Sequence, residues 1–109
     1  MIHKDSIECE LTVIGNGMAG MASALFAANR GLSIVQIGAP GGIIFASGLL
    51  DLLGVHPVKE KKSWQDPWAG IETLVHDLPT HPYARLKRRE IETAFHELLC
   101  FLEEEGLPY

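Results

Sequence analysis

The sequence predicts an α/β chain that opens with a βαβ unit and continues in amphipathic helices. Three observations lead there. A short apolar run, Leu11-Thr12-Val13-Ile14, enters the glycine turn Gly15-Asn16-Gly17-Met18-Ala19-Gly20. An uncharged, Ala-rich stretch continues to Asn29, and Gly31 leads into a second apolar run, Ile34-Val35-Gln36-Ile37. Between Leu11 and Leu50 the only charged side chain is Arg30. Strand, G-x-G-x-x-G turn, helix and strand, in that order, form the first unit of a Rossmann-like FAD/NAD(P)-binding domain. Three glycines alone would say little; their place between a strand-like and a helix-like run makes them informative.

The elements follow in order. Cys9 to Ile14 is the first strand, rich in aliphatic and β-branched residues, and Gly15 ends it. The helix runs from about Met18 to Asn29 and is apolar nearly all round, which predicts burial rather than an amphipathic surface position. Gly31 stands where a helix C′ residue belongs, and Leu32 to Ile37 is the second strand. Ile43 to Gly54 is apolar but carries glycine in its middle, which suits an irregular segment or a short helix. Asp51, the first acid after Glu10, is read as a capping or a functional carboxylate.

The second half has a different character. His56 to Ser63 carries a charge run and reads as a solvated link. Asp66-Pro67 is an N-cap followed by proline at the first helical position. Trp68, Ile71, Val75 and Leu78 then mark one face of a short helix that Pro79 stops, with Trp68 as a packing residue. Thr80 to Tyr83 is a turn. A second amphipathic helix spans about Arg88 to Glu105, with Ile91, Phe95, Leu98 and Leu102 on one stripe and Gly106 as its C-cap. Its charges oppose the helix dipole: Arg85, Lys87, Arg88 and Arg89 crowd the start, and Glu103, Glu104 and Glu105 the end.

Size and composition set bounds. A chain of 109 residues suits one small domain or a piece of a larger one. Two parallel strands and their helix bury too little to make a large core. The expectation is the amino-terminal part of a longer protein, or a chain completed by a partner. Residues 1–54 would form the dinucleotide-binding βαβ unit, and 55–109 the linker and helical segment of the same incomplete domain. Standing alone, so uncharged a stretch would expose apolar surface and self-associate. The net charge of −5 argues against a nucleic-acid surface. Cys9 and Cys100 suggest no disulfide framework, so a reduced, intracellular compartment is expected. No secretory signal opens the chain, and Asn16 and the glycine turn interrupt the uncharged stretch from Leu11 to Ala28 that is long enough to suggest a membrane span.

The chemistry concentrates in the turn. Gly15 permits the tight exit from the strand, Gly17 lets backbone approach a pyrophosphate, and Gly20 lets helix and strand come close. The N–H groups around Met18, Ala19 and Gly20 would face phosphate oxygens, helped by the positive helix end. The acid that usually meets the adenosine ribose at the end of the second strand is missing: Gly38 stands there, and no carboxylate lies between Glu10 and Asp51. That weakens a nicotinamide reading most. His3, His56, His76, His81 and His96 show no metal-ligand spacing, and His81, in a His-Pro turn, is read as structural.

Beyond the glycine turn and Gly31, the stretches Phe45-Ala46-Ser47-Gly48, Asp51-Leu52-Leu53, His81-Pro82-Tyr83 and Gly106-Leu107-Pro108-Tyr109 carry a family likeness. Together they resemble the amino-terminal quarter of the B subunit family of anaerobic glycerol-3-phosphate dehydrogenase. The resemblance implies an oxidoreductase subunit that works beside two others, one a larger catalytic flavoprotein and one an iron–sulfur protein that anchors the complex to the membrane. The reaction implied is oxidation of sn-glycerol 3-phosphate to dihydroxyacetone phosphate, with electrons passed to the anaerobic respiratory chain from the cytoplasmic face of the membrane. It also implies FMN as the cofactor, with FAD as the alternative because the motif suits a pyrophosphate. The expected cofactor-binding residues are Gly15, Asn16, Gly17, Met18, Ala19, Gly20, Gly38, Ser47 and Gly48. No residue of this chain matches the family's substrate-oxidising groups, and two alternatives stand beside the resemblance: another FAD-dependent oxidoreductase, or a non-catalytic nucleotide-binding or assembly protein.

Overall fold

A computed structural model of the chain describes residues 5–39 and 50–107. The chain divides into two compact units, Met1–Gly48 and Leu49–Tyr109.

In the first unit, strand β1 (Leu11–Ile14) pairs in parallel with β2 (Ile34–Ile37), Leu11 opposite Ile34 and Ile14 opposite Ile37. Parallel neighbours require a crossover, and helix α1 (Met18–Asn29) supplies it. The helix bounds match the sequence expectation. Both strands start two residues later than expected, for a local reason. The Glu10 carboxylate accepts from the Ser33 N–H (2.8 Å) and hydroxyl (3.2 Å), so a donor that would extend the ladder is already used. Helix α1 ends in a Schellman motif. Gly31, at φ +78°, donates to the Ala28 carbonyl (2.9 Å) and Leu32 to that of Ala27 (3.2 Å).

The apolar stretch is only partly covered. On α1, Ala24 and Ala27 are buried, whereas Ile14 and Ile37, at the carboxyl ends of the strands, are 85% and 56% exposed. The exposed apolar surface expected of the stretch standing alone is present. Where helix and strand do meet, they meet closely. A Cβ on Gly20 would run into the Gly15 carbonyl, whose carbon lies 2.8 Å away. That same carbonyl accepts from Gln36 Nε2 (2.9 Å), and the Gly15 N–H donates to Ile37 (2.7 Å). The glycine turn is thereby tied to β2 on both of its polar sides.

In the second unit, α2 (Pro67–Asp77) starts as its sequence predicts, with the Asp66 carboxylate accepting from the Trp68 N–H at 3.0 Å. Its buried face is Gly70, Ile71 and Leu74, whereas Leu78 is half exposed. The expected stripe is rotated because Gly70 is the point of closest approach: a Cβ there would lie 2.7 Å from the Trp64 ring and crowd Leu53. A count of large apolar residues cannot register a glycine as a contact.

The segment after residue 55 is not simply a solvated link. His56 is buried, 6% exposed, with Nε2 at 2.9 Å from Asp77 Oδ2. Its N–H donates to Lys62 (2.9 Å) and its carbonyl accepts from Trp64 Nε1 (2.7 Å). The charged residues Lys59 to Lys62 thus decorate a loop that closes on its own first residue. A 3₁₀ turn (Pro82–Arg85) follows α2, and His81 Nδ1 caps it by accepting from the Tyr83 N–H (3.1 Å). That is the structural role expected of His81.

Helix α3 (Arg88–Glu104) answers its adverse start locally. Glu90 accepts from the Lys87 N–H at 2.6 Å, and Arg88 bridges to Glu92 at 2.8 Å while lying over the Trp68 ring at 4.4 Å. Gly106 (φ +76°) closes the helix in a second Schellman motif, with Leu107 donating to Leu102 at 2.8 Å. Among the described residues no helix is long and apolar enough to cross a membrane.

Two outcomes follow. Gly20→Ala forces α1 away from the Gly15 carbonyl and destabilises the first unit by about 1–3 kcal/mol, read as a lower denaturation midpoint; an unchanged midpoint would refute the close approach. In the second unit, hydrogen bonds from His56 and then His76 hold the Asp77 carboxyl below its ordinary 3.8. A carboxylate depressed on folding contributes stability that is complete above its unfolded value and is lost as pH falls through the folded one. Asp77→Asn, which keeps an acceptor for His56 but loses the charge, should flatten the fall in melting temperature as pH drops below about 4.

Candidate functional site

The site is built from one turn and one strand end. Gly15 adopts φ +127°, a conformation L side chains rarely reach, and this turns the chain sharply out of β1. Two residues later Gly17 is the N-cap of α1, at φ −79° and ψ −177°, and among the described residues no side chain caps the helix. The N–H groups of Met18, Ala19 and Gly20 have no carbonyl within their own helix to reach. The positive end of the helix dipole adds to them, with no acidic residue in the first turn.

The glycines at 17 and 20 do different work. At Gly20 the space for a side chain is taken by the Gly15 carbonyl; at Gly17 a Cβ would meet nothing within 4 Å among the described residues. The second glycine is therefore not demanded by the protein's own packing. It leaves open the approach to the uncapped N–H groups, which is what a pyrophosphate resting on a helix start requires. Between residues 11 and 39 the sequence has no carboxylate to repel such a group. The residues present fit a dinucleotide.

At the end of β2, Gly38 lies against the turn. A Cβ there would stand 2.9 Å from Asn16 Cγ and 3.1 Å from its Nδ2, and Asn16 Nδ2 donates to the Ala39 carbonyl at 3.3 Å. The fold thus brings Gly15, Asn16, Gly17, Met18, Ala19, Gly20 and Gly38 together. Ser47 and Gly48 lie outside the described residues. Sequence reasoning passed over Gln36, whose amide holds the Gly15 carbonyl. The available signal was a lone polar side chain inside an otherwise apolar strand.

The second unit offers different chemistry. Trp68, Ile71, Tyr83, Leu86, Arg88 and Ile91 line a shallow hollow. Burial pushes the Tyr83 hydroxyl above its ordinary value, and it donates to the Leu52 carbonyl at 2.7 Å. Trp68 lies under Arg88, a packing role as the sequence suggests. Among the described residues no group of three His, Cys, Asp or Glu side chains could hold a metal ion.

Comparison with known proteins agrees with the geometry. Residues 10–109 match the family described as FAD binding domain. The chain is 30% identical over 100 residues to the B subunit of anaerobic glycerol-3-phosphate dehydrogenase from Vibrio vulnificus, covering 91% of this chain and 22% of that protein. It is 34% identical over 97 residues to the Aliivibrio fischeri protein of the same name, covering 88% and 21%. For the Haemophilus influenzae protein of that name the identity is 34% over 86 residues, covering 75% and 20%. The chain spans about a fifth of the length of these curated relatives. No solved structure gives a significant match. The family match corrects the expectation of FMN: the flavin is FAD. The physical reason lies in the turn, since FMN carries a single phosphate and a helix start preceded by G-x-G-x-x-G is shaped for two. From its glycine turn to its last residues, this chain belongs to the FAD binding domain family.

Proposed function

We propose that this chain is the FAD-binding segment of an oxidoreductase subunit. Residues 1–54 are its dinucleotide-binding unit and 55–109 the helical segment of the same domain. The observation that carries the reading is the uncapped start of α1 beside the open space at Gly17. The N–H groups of Met18, Ala19 and Gly20 would bind the pyrophosphate, Gly15 and Gly20 would hold the turn in place for it, and Gln36 would keep the turn joined to β2. Ser47 and Gly48 are proposed as further contacts.

The reaction we assign to the whole protein follows the names its relatives carry: oxidation of sn-glycerol 3-phosphate to dihydroxyacetone phosphate. FAD, when bound, would supply two-electron redox chemistry for electrons that leave the substrate's secondary alcohol. This chain's own part is to bind and orient that cofactor; none of its described side chains is assigned to proton removal from the substrate. The proposed partners are two further subunits, one a catalytic flavoprotein and one an iron–sulfur protein that anchors the complex. They would place the protein at the cytoplasmic face of the membrane and lead its electrons into the anaerobic respiratory chain. The breadth of the family match favours one second reading, a different FAD-dependent oxidoreductase acting on another substrate.

Two measurements test these assignments. Gly17→Val in the native protein should lower FAD affinity at least about tenfold, equivalent to about 1.4 kcal/mol, while circular dichroism stays unchanged. Full FAD content in that variant would remove the phosphate contact. Turnover by the purified protein with its partners, followed with an artificial electron acceptor, should be fastest with glycerol 3-phosphate. Preference for succinate or an amine would assign the protein to the second reading.

A further inference from the structure

The end of β2 commonly carries a carboxylate that accepts hydrogen bonds from the adenosine ribose. Here that position is Gly38, and the space beside it is already filled. A Cβ at Gly38 would meet Asn16 Cγ at 2.9 Å, its backbone nitrogen at 3.0 Å and its Nδ2 at 3.1 Å. The Asn16 side chain therefore reaches from the glycine turn to the strand end where the carboxylate would begin. Its Nδ2 donates to the Ala39 carbonyl at 3.3 Å, which orients the carboxamide. Among the described residues no group donates to its Oδ1.

We propose that Asn16 is the ribose-recognising residue of this site: its Oδ1 accepts a hydrogen bond from a ribose hydroxyl of the adenosine half of FAD. The inference rests on the FAD reading above and adds to it a specificity-determining side chain. It also accounts for two features at once. Gly38 is glycine because Asn16 lies over it, and the missing carboxylate is replaced by a side chain from the glycine turn rather than lost. A carboxamide makes this contact as a neutral acceptor, so the contact is weaker than a charge-assisted one. Nucleotide affinity then leans more on the pyrophosphate and the N–H groups of α1.

The test uses the native protein stripped of flavin, with any partner subunits it retains on purification. Binding of FAD, ADP, 2′-deoxy-ADP and 3′-deoxy-ADP is measured by calorimetry. The wild type should bind ADP roughly 2- to 10-fold more tightly than at least one deoxy analogue, the worth of one neutral hydrogen bond. Asn16→Ala should bind ADP as weakly as that analogue and no longer distinguish the two. FAD binding without discrimination by the wild type, or discrimination that survives in Asn16→Ala, would overturn the ribose assignment and leave the FAD reading standing. No FAD binding by the wild type would overturn both. Gly38→Glu supplies a second, independent measurement. Alone it should weaken ADP binding, because its Cβ collides with Asn16. Combined with Asn16→Ala, which removes two of the three crowding atoms, it should regain discrimination between ADP and the deoxy analogue. Wild-type affinity in Gly38→Glu alone would refute the mutual exclusion on which the assignment stands.

Discussion

The start of α1 sits against the carbonyl of Gly15, and a Cβ at position 20 would force the two apart. The rest of the site depends on that approach. It brings the first turn of the helix beside the end of β1, and it directs the free N–H groups of Met18 to Gly20 to where the chain leaves the sheet. The Gln36 amide and the Ile37 carbonyl fasten the turn to β2, so the N–H groups at the start of α1 rest on a paired strand. A binding site made of backbone dipoles works only if they are already oriented, since reorganising them would consume the binding energy.

The distribution of charge serves the same end. With Arg30 the only charged side chain between Leu11 and Leu50, the field near the turn comes from the helix dipole and the N–H groups. Arg30 itself lies at the far end of α1, where its guanidinium donates to the Phe26 carbonyl (2.7 Å) and complements the negative pole. The second unit shows the opposite economy. Its charges are many and mostly local in effect: Glu90 and Glu92 offset the basic start of α3, and Asp77 joins two histidines. The exposed pairs among them add little stability one by one. The buried Ile71, Leu74, Ile91 and Leu98, with Trp64 and Leu53 packed onto Gly70, form the apolar core of that unit.

Much of this was legible in the sequence, unevenly. The bounds of α1 and the positions of Gly31 and Gly106 could be read because each depends on a few adjacent residues: an apolar run, a glycine able to take positive φ, a following residue to close the cap. The Asp66-Pro67 start of α2 was legible for the same reason. The buried face of α2 was not, because Gly70 makes its contact by lacking a side chain. His56 looked solvated beside three lysines and glutamate, and only the fold of the loop shows that its ring is buried. The assignment of FMN failed at a different level. It came from family resemblance, while the residues themselves already favoured a carrier of two phosphates.

By itself, the sequence determined the order of elements, the glycine turn, both glycine-closed helix ends and the absence of a carboxylate at position 38. All of these are local, set by backbone freedom and by residue type. The tertiary structure alone told the glycines apart. It separated Gly20, which has no room for a Cβ, from Gly17, where no described residue would lie within 4 Å of one. It also laid Asn16 over Gly38, 22 positions along the chain. The parallel pairing of β1 and β2 juxtaposes the turn and the strand end, and no pattern along a single chain records a contact made that way.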